Sequence, residues 1–160
     1  MLKKSDKKFL FFLLILISLI LLSAYFIENI LDHQACRLCI YERVPYFLSA
    51  FLIIKLLFSK KNEKIILIMI SFVFLCGAVI SFYHFGIEQG FFEESIACST
   101  RDITETLTKE ELLEKLKKNT ISCKDVSFRI LGFSLATINI ILSLILSVIF
   151  AKLFINYGKN

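Results

Sequence analysis

From Phe9 to Ile27 the chain runs through nineteen residues without a single charge. Wound as an α-helix at 1.5 Å per residue, such a run extends roughly 28 Å, about the thickness of a bilayer's hydrocarbon core. A segment that long and that apolar has few places to go in a water-soluble domain of this size. Its length and the bulky Leu22 three positions before a cleavage point after Ala24 also argue for a span and against a removable signal peptide. Three more apolar runs follow, and 57% of the 160 residues are hydrophobic, against about 45 to 50% in an average soluble domain. The expected fold is all-α: one membrane domain over 1–160, a bundle of four transmembrane helices at about 9–27, 41–58, 65–85 and 130–154. The connections 28–40 and 86–129 then lie on one side of the membrane.

Charge placement orients that bundle. The N-terminal tail, the turn at 59–64 and the C-terminal tail are basic, whereas twelve of the fourteen acidic residues fall on the opposite side. By the positive-inside rule both termini are cytoplasmic and the 28–40 and 86–129 connections face outward. The net charge of +5 does not point to nucleic acid, because the lysines flank apolar runs and form no continuous patch. Within the second outer connection, Thr108 and Glu111 have capping-box spacing, with Leu107 and Leu112 placed as a hydrophobic staple. A short amphipathic helix over about 109–118 is expected there, on the membrane surface or over the mouth of the bundle.

Four of the five cysteines, Cys36, Cys39, Cys98 and Cys123, lie in the outward connections. An even set on one side suits an oxidising compartment. Cys36 and Cys39 form a Cys-x-x-Cys pair just before the second apolar run. On a continuous helix Cys36, Cys39 and Arg43 would share one face. The start of that run, through the helix dipole and Arg43, favours a thiolate at Cys39. The same spacing also serves as a structural staple, or as half of a metal site with His33 and His84 as further ligands. Cys98 and Cys123 bracket the capped segment. A disulfide between them would close a loop of 26 residues, which by chain entropy stabilises a fold by roughly 3.5 kcal/mol. Next to a second, strained pair, exchange through mixed disulfides becomes the stronger reading.

In the third run Gly77, Ser81, His84 and Glu88 recur at helical spacing and make one small or polar stripe, with His84 near the outer end. Gly132, Ala136, Asn139, Ser143 and Ser147 give the fourth run a similar stripe, read as packing. Cys76, deep in the third run, reads as a small core residue.

The stretch Cys36-Arg37-Leu38-Cys39-Ile40-Tyr41-Glu42-Arg43 ahead of an apolar helix resembles the signature of the bacterial disulfide bond formation protein B (DsbB) family, thiol:quinone oxidoreductases of the inner membrane. The stretches Tyr83 to Phe92 and Cys123 to Gly132 are similar to that family's third-helix end and fourth-helix start. The resemblance covers essentially the whole chain. It implies a periplasmic, thioredoxin-fold dithiol partner of the DsbA kind attacking a Cys98–Cys123 disulfide, with Cys98 in the mixed disulfide. Electrons would pass to Cys36 and Cys39, with Cys123 bridging to Cys36, and on to ubiquinone or menaquinone from the membrane pool. Cys39 and Arg43 would face the quinone, and His84 would stand near its pocket. No metal is implied. Vitamin K epoxide reductase-like enzymes share a four-helix bundle with a Cys-x-x-Cys, but place it at the last core helix. A tetraspan protein with structural disulfides and a Cys/His metal-handling protein are the alternatives.

Overall fold

The computed structural model describes residues 4–30, 35–59, 62–93, 123, 129–130 and 132–157. Helix α1 covers Lys4–Asn29, α2 Arg37–Tyr41, α3 Val44–Phe58 and α4 Glu63–Glu88. Two short strands, β1 at Arg129–Ile130 and β2 at Phe133–Ser134, pair antiparallel and lead into α5 at Leu135–Asn156. The expected amphipathic helix over 109–118 falls outside the described residues, as do His33 and Cys98.

Among the described residues, three helices have the length and composition to cross a membrane: Asp6–Asn29, Glu63–Glu88 and Leu135–Asn156. The run expected at 41–58 is broken in two. Helix α2 ends at Tyr41, the chain turns at Glu42 and Arg43, and α3 restarts at Val44 with Pro45 in its first turn. Proline causes the break, because it has no N–H to give the carbonyl four residues back, at Tyr41. The 15 residues of α3 extend only about 22 Å. The fourth helix also begins later than position 130. β1 and β2 pair as a hairpin with Gly132 at φ 87° ahead of β2, and Ser134 then caps α5 by accepting the Thr137 N–H at 3.3 Å.

The helices pack mainly as α4 along α5, with α3 against α4 and α1 against α3. Tyr46 meets Phe74 edge-on at 5.4 Å, and Phe74 stacks on Phe150 at 6.0 Å, linking α3, α4 and α5 through three rings. Leu10, Leu13 and Ile17 bring α1 into the same core. Lower in the bundle α4 and α5 exchange hydrogen bonds. Ser71 Oγ donates to the Ser147 carbonyl at 2.9 Å, and Ser147 Oγ donates back to the Ser71 carbonyl at 3.0 Å. Gly77 brings three helices together, since a Cβ there would lie 3.1 Å from the Pro45 ring and 3.6 Å from Ser143 Oγ.

The outward faces are as apolar as the core. Phe11, Phe12, Phe47, Phe51 and Phe72 are all more than half exposed, as suits side chains whose solvent is lipid. Cys76 corrects a sequence expectation, because it lies on this outward face and not in the core. The stripe Gly77, Ser81 and His84 takes the inner face of α4, and a helix turns about 100° per residue. Cys76 is thereby placed with exposed Phe72 and Val79.

Candidate functional site

The end of the bundle where α4 closes and α5 begins holds a buried polar cluster, and α2 builds one wall of it. Cys36 is the N-cap of this five-residue helix, with extended backbone (φ −66°, ψ 165°), so its sulfur turns back and accepts the Cys39 N–H at 3.2 Å. Serine and threonine oxygens commonly take this position, and a thiolate sulfur satisfies the same orphan donor. Cys36 is buried and Cys39 half-buried.

Helix α4 supplies the facing side chain. His84 Nε2 is 3.5 Å from Cys36 Sγ, and His84 Nδ1 is 2.8 Å from Glu42 Oε1. The other Glu42 oxygen accepts the Asn139 amide at 3.0 Å, and the same amide donates to Ser81 Oγ at 2.7 Å. The Tyr46 hydroxyl donates to Asn139 Oδ1 and lies 3.3 Å from Ser143 Oγ. Glu88 Oε1 stands 3.7 Å from His84 Nε2, and its buried Oε2 has no hydrogen-bond partner among the described residues. A chain of contacts therefore runs from Cys36 on α2, through His84 on α4 and Glu42 in the turn, to Asn139 on α5 and Tyr46 on α3.

The two thiols differ sharply. A hydrogen bond from the Cys39 side chain is the largest influence on Cys36. It acts against burial and with His84, and together they pull the Cys36 thiol down from the ordinary 9.0 to about 5. Cys39 is pushed strongly up, first because its proton is shared with Cys36, then by burial and by the negative charge of Cys36 and Glu42. This reverses the expected thiolate at Cys39. The Cys39 backbone N–H, which Cys36 accepts as N-cap of α2, acts in the same direction on Cys36.

Cys123 is buried and packs in one cluster with Cys36, Leu38 and Ile87, against which Cys39 and Tyr83 also rest. It is disulfide-bonded, whereas Cys36 and Cys39 are free. The structure thus brings Cys36, Cys39, His84 and Cys123 together. Arg43 is turned elsewhere: as the N-cap residue of α3 it forms an ion pair with Glu28 near the end of α1. Because the helix breaks at 42–43, the common face of Cys36, Cys39 and Arg43 does not form. Sequence reasoning missed Glu42 and Asn139 as members of the site. The available signals were an acid directly flanking an apolar run and an amide within one.

A reactive dithiol, a histidine–carboxylate pair beside it and a disulfide-bonded third cysteine, all at one end of an apolar helical bundle, define a membrane-embedded thiol–disulfide oxidoreductase. The family model for disulfide bond formation protein DsbB matches residues 6–153, nearly the whole chain, and the chain belongs to that family. Membership carries the family's general character, that of an inner-membrane oxidoreductase of disulfide bond formation. The chain is also 34% identical over 161 residues to the uncharacterized protein RP370 of Rickettsia prowazekii (strain Madrid E), covering 99% of this chain and 93% of that one. No solved structure matches it significantly.

Proposed function

We propose that this protein is a thiol:quinone oxidoreductase that reoxidises a periplasmic, thioredoxin-fold dithiol oxidase of the DsbA kind. The observation that carries the reading is the single buried cluster holding the free dithiol Cys36/Cys39 and the disulfide-bonded Cys123. Two sulfur centres in opposite redox states and in van der Waals packing are arranged for exchange, which proceeds by thiolate attack on a neighbouring sulfur. In this reading Cys98 is the other half of the Cys123 disulfide and meets the partner's thiolate, and Cys123 passes the bond to Cys36. The topology that goes with it has four membrane passages, both termini cytoplasmic, and all four cysteines periplasmic.

The acceptor that suits the site is a membrane quinone, ubiquinone or menaquinone. Cys39 is the more open thiol, and it is followed by Ile40, Val44 and Phe47, all at least half exposed and apolar, on the surface that a lipid-soluble molecule reaches first. When bound, a quinone takes two electrons and two protons. Arg43, about a quarter exposed beside this segment, would offer a quinone oxygen its cation by sharing or leaving its ion pair with Glu28, and His84 would supply a proton-handling group.

The test is turnover in lipid nanodiscs with a reduced DsbA-like protein and a soluble quinone analogue, following quinone absorbance. Steady reduction that requires Cys36, Cys39, Cys98 and Cys123 is the expected result, with Arg43→Gln slowing the quinone step while the partner's mixed disulfide still forms. If both pairs instead stay oxidised in thiol buffers poised below about −300 mV, the disulfides are structural and the reading fails.

One observation favours a second reading. The sulfur atoms of Cys36 and Cys39 and a ring nitrogen of His84 all lie within 4.8 Å of one another, and a carboxylate on the far nitrogen is the usual support of a metal-bound histidine. A protein that purifies with stoichiometric zinc, and is inactive with quinone until the metal is removed, would support metal handling in place of oxidation.

A further inference from the structure

Neither charge of the Glu28–Arg43 ion pair stands where its own helix favours it. Glu28 is in the last turn of α1, where the helix dipole disfavours an anion, and Arg43 is the N-cap residue of α3, where the dipole disfavours a cation. Pairing relieves both. Arg43 makes no side-chain cap bond to α3 and instead donates from Nη1 to Glu28 Oε2, fifteen residues away. The pair is open to its surroundings, with side-chain exposures of 24% for Arg43 and 31% for Glu28. An ion pair that accessible adds little to stability, so holding the fold together is a weak reason for it.

The packing of α1 leads to the same conclusion. Leu10, Leu13 and Ile17 anchor its N-terminal half in the core, and beyond Ile17 no described residue of α1 is buried. In that second half Ser18, Ser23 and Asn29 donate to carbonyls of α1 itself. The Glu28–Arg43 contact thus joins a sparsely buried half-helix to the turn that follows the dithiol. Glu28 can give up the guanidinium without unpacking the core.

We propose that Glu28 is the positioning residue of Arg43: its carboxylate competes with the quinone for the guanidinium, withholding Arg43 from a neutral carbonyl oxygen and yielding it to one that carries charge. The inference deepens the quinone-reducing reading above and rests on it. Hydrogen bonds to a charged acceptor are roughly twice as strong as those to a neutral one. Against the Glu28 carboxylate, a carbonyl oxygen of the oxidised quinone is therefore the weaker acceptor for Nη1. When the Cys36–Cys39 S–S bond forms, the two thiols give up two electrons and two protons, and the quinone that takes them leaves as hydroquinone. Negative charge develops on its oxygens until the protons neutralise it, and at that stage the oxygen rivals the carboxylate. The planar fork of the guanidinium, with donors on three nitrogens, lets Arg43 be shared between the two acceptors as the charge grows. Interactions stronger in the transition state than in the ground state are the ones that raise a rate, and Glu28 makes the Arg43 contact one of these.

The experiment has one arm without quinone and one with it, both on the full-length protein in lipid nanodiscs. In the first, the oxidised protein is treated with phenylglyoxal, which modifies accessible guanidinium groups, and labelling of Arg43 is quantified by mass spectrometry against Arg37. Glu28→Gln keeps the size of the side chain and loses its charge. It should label Arg43 about two- to fivefold faster, the range that one part-exposed ion pair can hold back. In the second arm a reduced DsbA-like protein and a soluble quinone analogue are supplied, and KM and kcat are measured for the analogue. Glu28→Gln should lower KM by about two- to fivefold and move kcat less, because the charged oxygen already draws Arg43 from the carboxylate. On an Arg43→Gln background the same substitution should change neither constant. Unchanged labelling of Arg43 overturns the proposal, as does a KM that stays or rises, or a fall in KM that persists without Arg43. Should Glu28→Gln fail to fold, Glu28→Asp, which withdraws the carboxylate by one methylene, takes its place with the same expected directions. If the unsubstituted protein does not reduce the analogue at all, the oxidase reading fails and this inference with it. Turnover with an unmoved KM sinks this inference alone.

Discussion

The two halves of the helical bundle solve opposite problems. The half around Phe74 and Phe150 is filled by rings and branched aliphatics, and its polar contacts are short and reciprocal, as between Ser71 and Ser147. The half around His84 carries two carboxylates, an imidazole, an amide, a tyrosine and two thiols, and Glu42, His84, Asn139, Tyr46 and Cys36 each bond a neighbour from another element. In the first half a lost contact costs packing. In the second it leaves a buried polar group without a match, which changes protonation before it changes shape. The half around Phe74 thus holds the frame while the half around His84 is the one to which the proposed chemistry belongs, and substitutions should sort accordingly.

The largest expected separation is functional. Cys36→Ser should abolish dithiol-dependent quinone reduction, whereas Cys76→Ser, on the lipid-facing side, should leave it unchanged. Residual turnover in Cys36→Ser would break the assignment of chemistry to the half around His84. Next comes pH. A thiol lowered from 9.0 to about 5 stays ionised between those values and loses its charge as pH falls through about 5. At pH 7 Cys36 should therefore react almost wholly as thiolate, where an unperturbed cysteine of that ordinary value offers about one part in a hundred. The reduced fold gains stability from the same thiolate, fully present above pH 9 and lost as pH drops through about 5. An alkylation midpoint for Cys36 near 9 would contradict the structure.

The frame should answer in stability. Phe74→Ala removes the middle ring of three and should cost about 3 to 5 kcal/mol by thermal unfolding in detergent, without moving the Cys36 pH profile. A moved profile would show that the halves are not separable. Gly77→Ala introduces a methyl against Pro45 and should cost roughly 1 to 3 kcal/mol. Because Pro45 follows the turn bearing Glu42, this variant sharpens the comparison: a purely packing effect leaves thiol selectivity intact. Smallest of all, Ser71→Ala gives up one arm of the α4–α5 exchange and should cost about 0.6 kcal/mol, the average for hydrogen bonds between membrane helices.

Much of the frame was legible in the sequence because membrane burial is written in long runs. The stripe of Gly77, Ser81 and His84 faces inward as its spacing indicates. Two features were not legible. The break at Glu42 and Arg43 falls at the charged edge of an apolar run, where one helix beginning near Ile40 fits as well, and a proline near a helix start fits both one helix and two. The Glu42–His84–Asn139 contacts join the 42–43 turn to α4 and α5, and no periodicity within one segment reports on them. Asn139 fell on a face whose other members are small, so it read as packing. Arg43 pairs with Glu28, fifteen positions away on another helix, a choice that charge alone does not fix.

The interruption ahead of Pro45 also has a mechanical side. Cys36 and Cys39 ride on a five-residue turn that is not continuous with α3. A ring of two sulfurs that opens and closes once per cycle must twist its backbone a little each time. Were this pair wound into the end of a long helix, that twist would travel down the rod into Tyr46 and the rings stacked beneath it. Here the turn at Glu42 and Arg43 separates the sulfur pair from α3, so a change at the pair is not passed along one continuous rod.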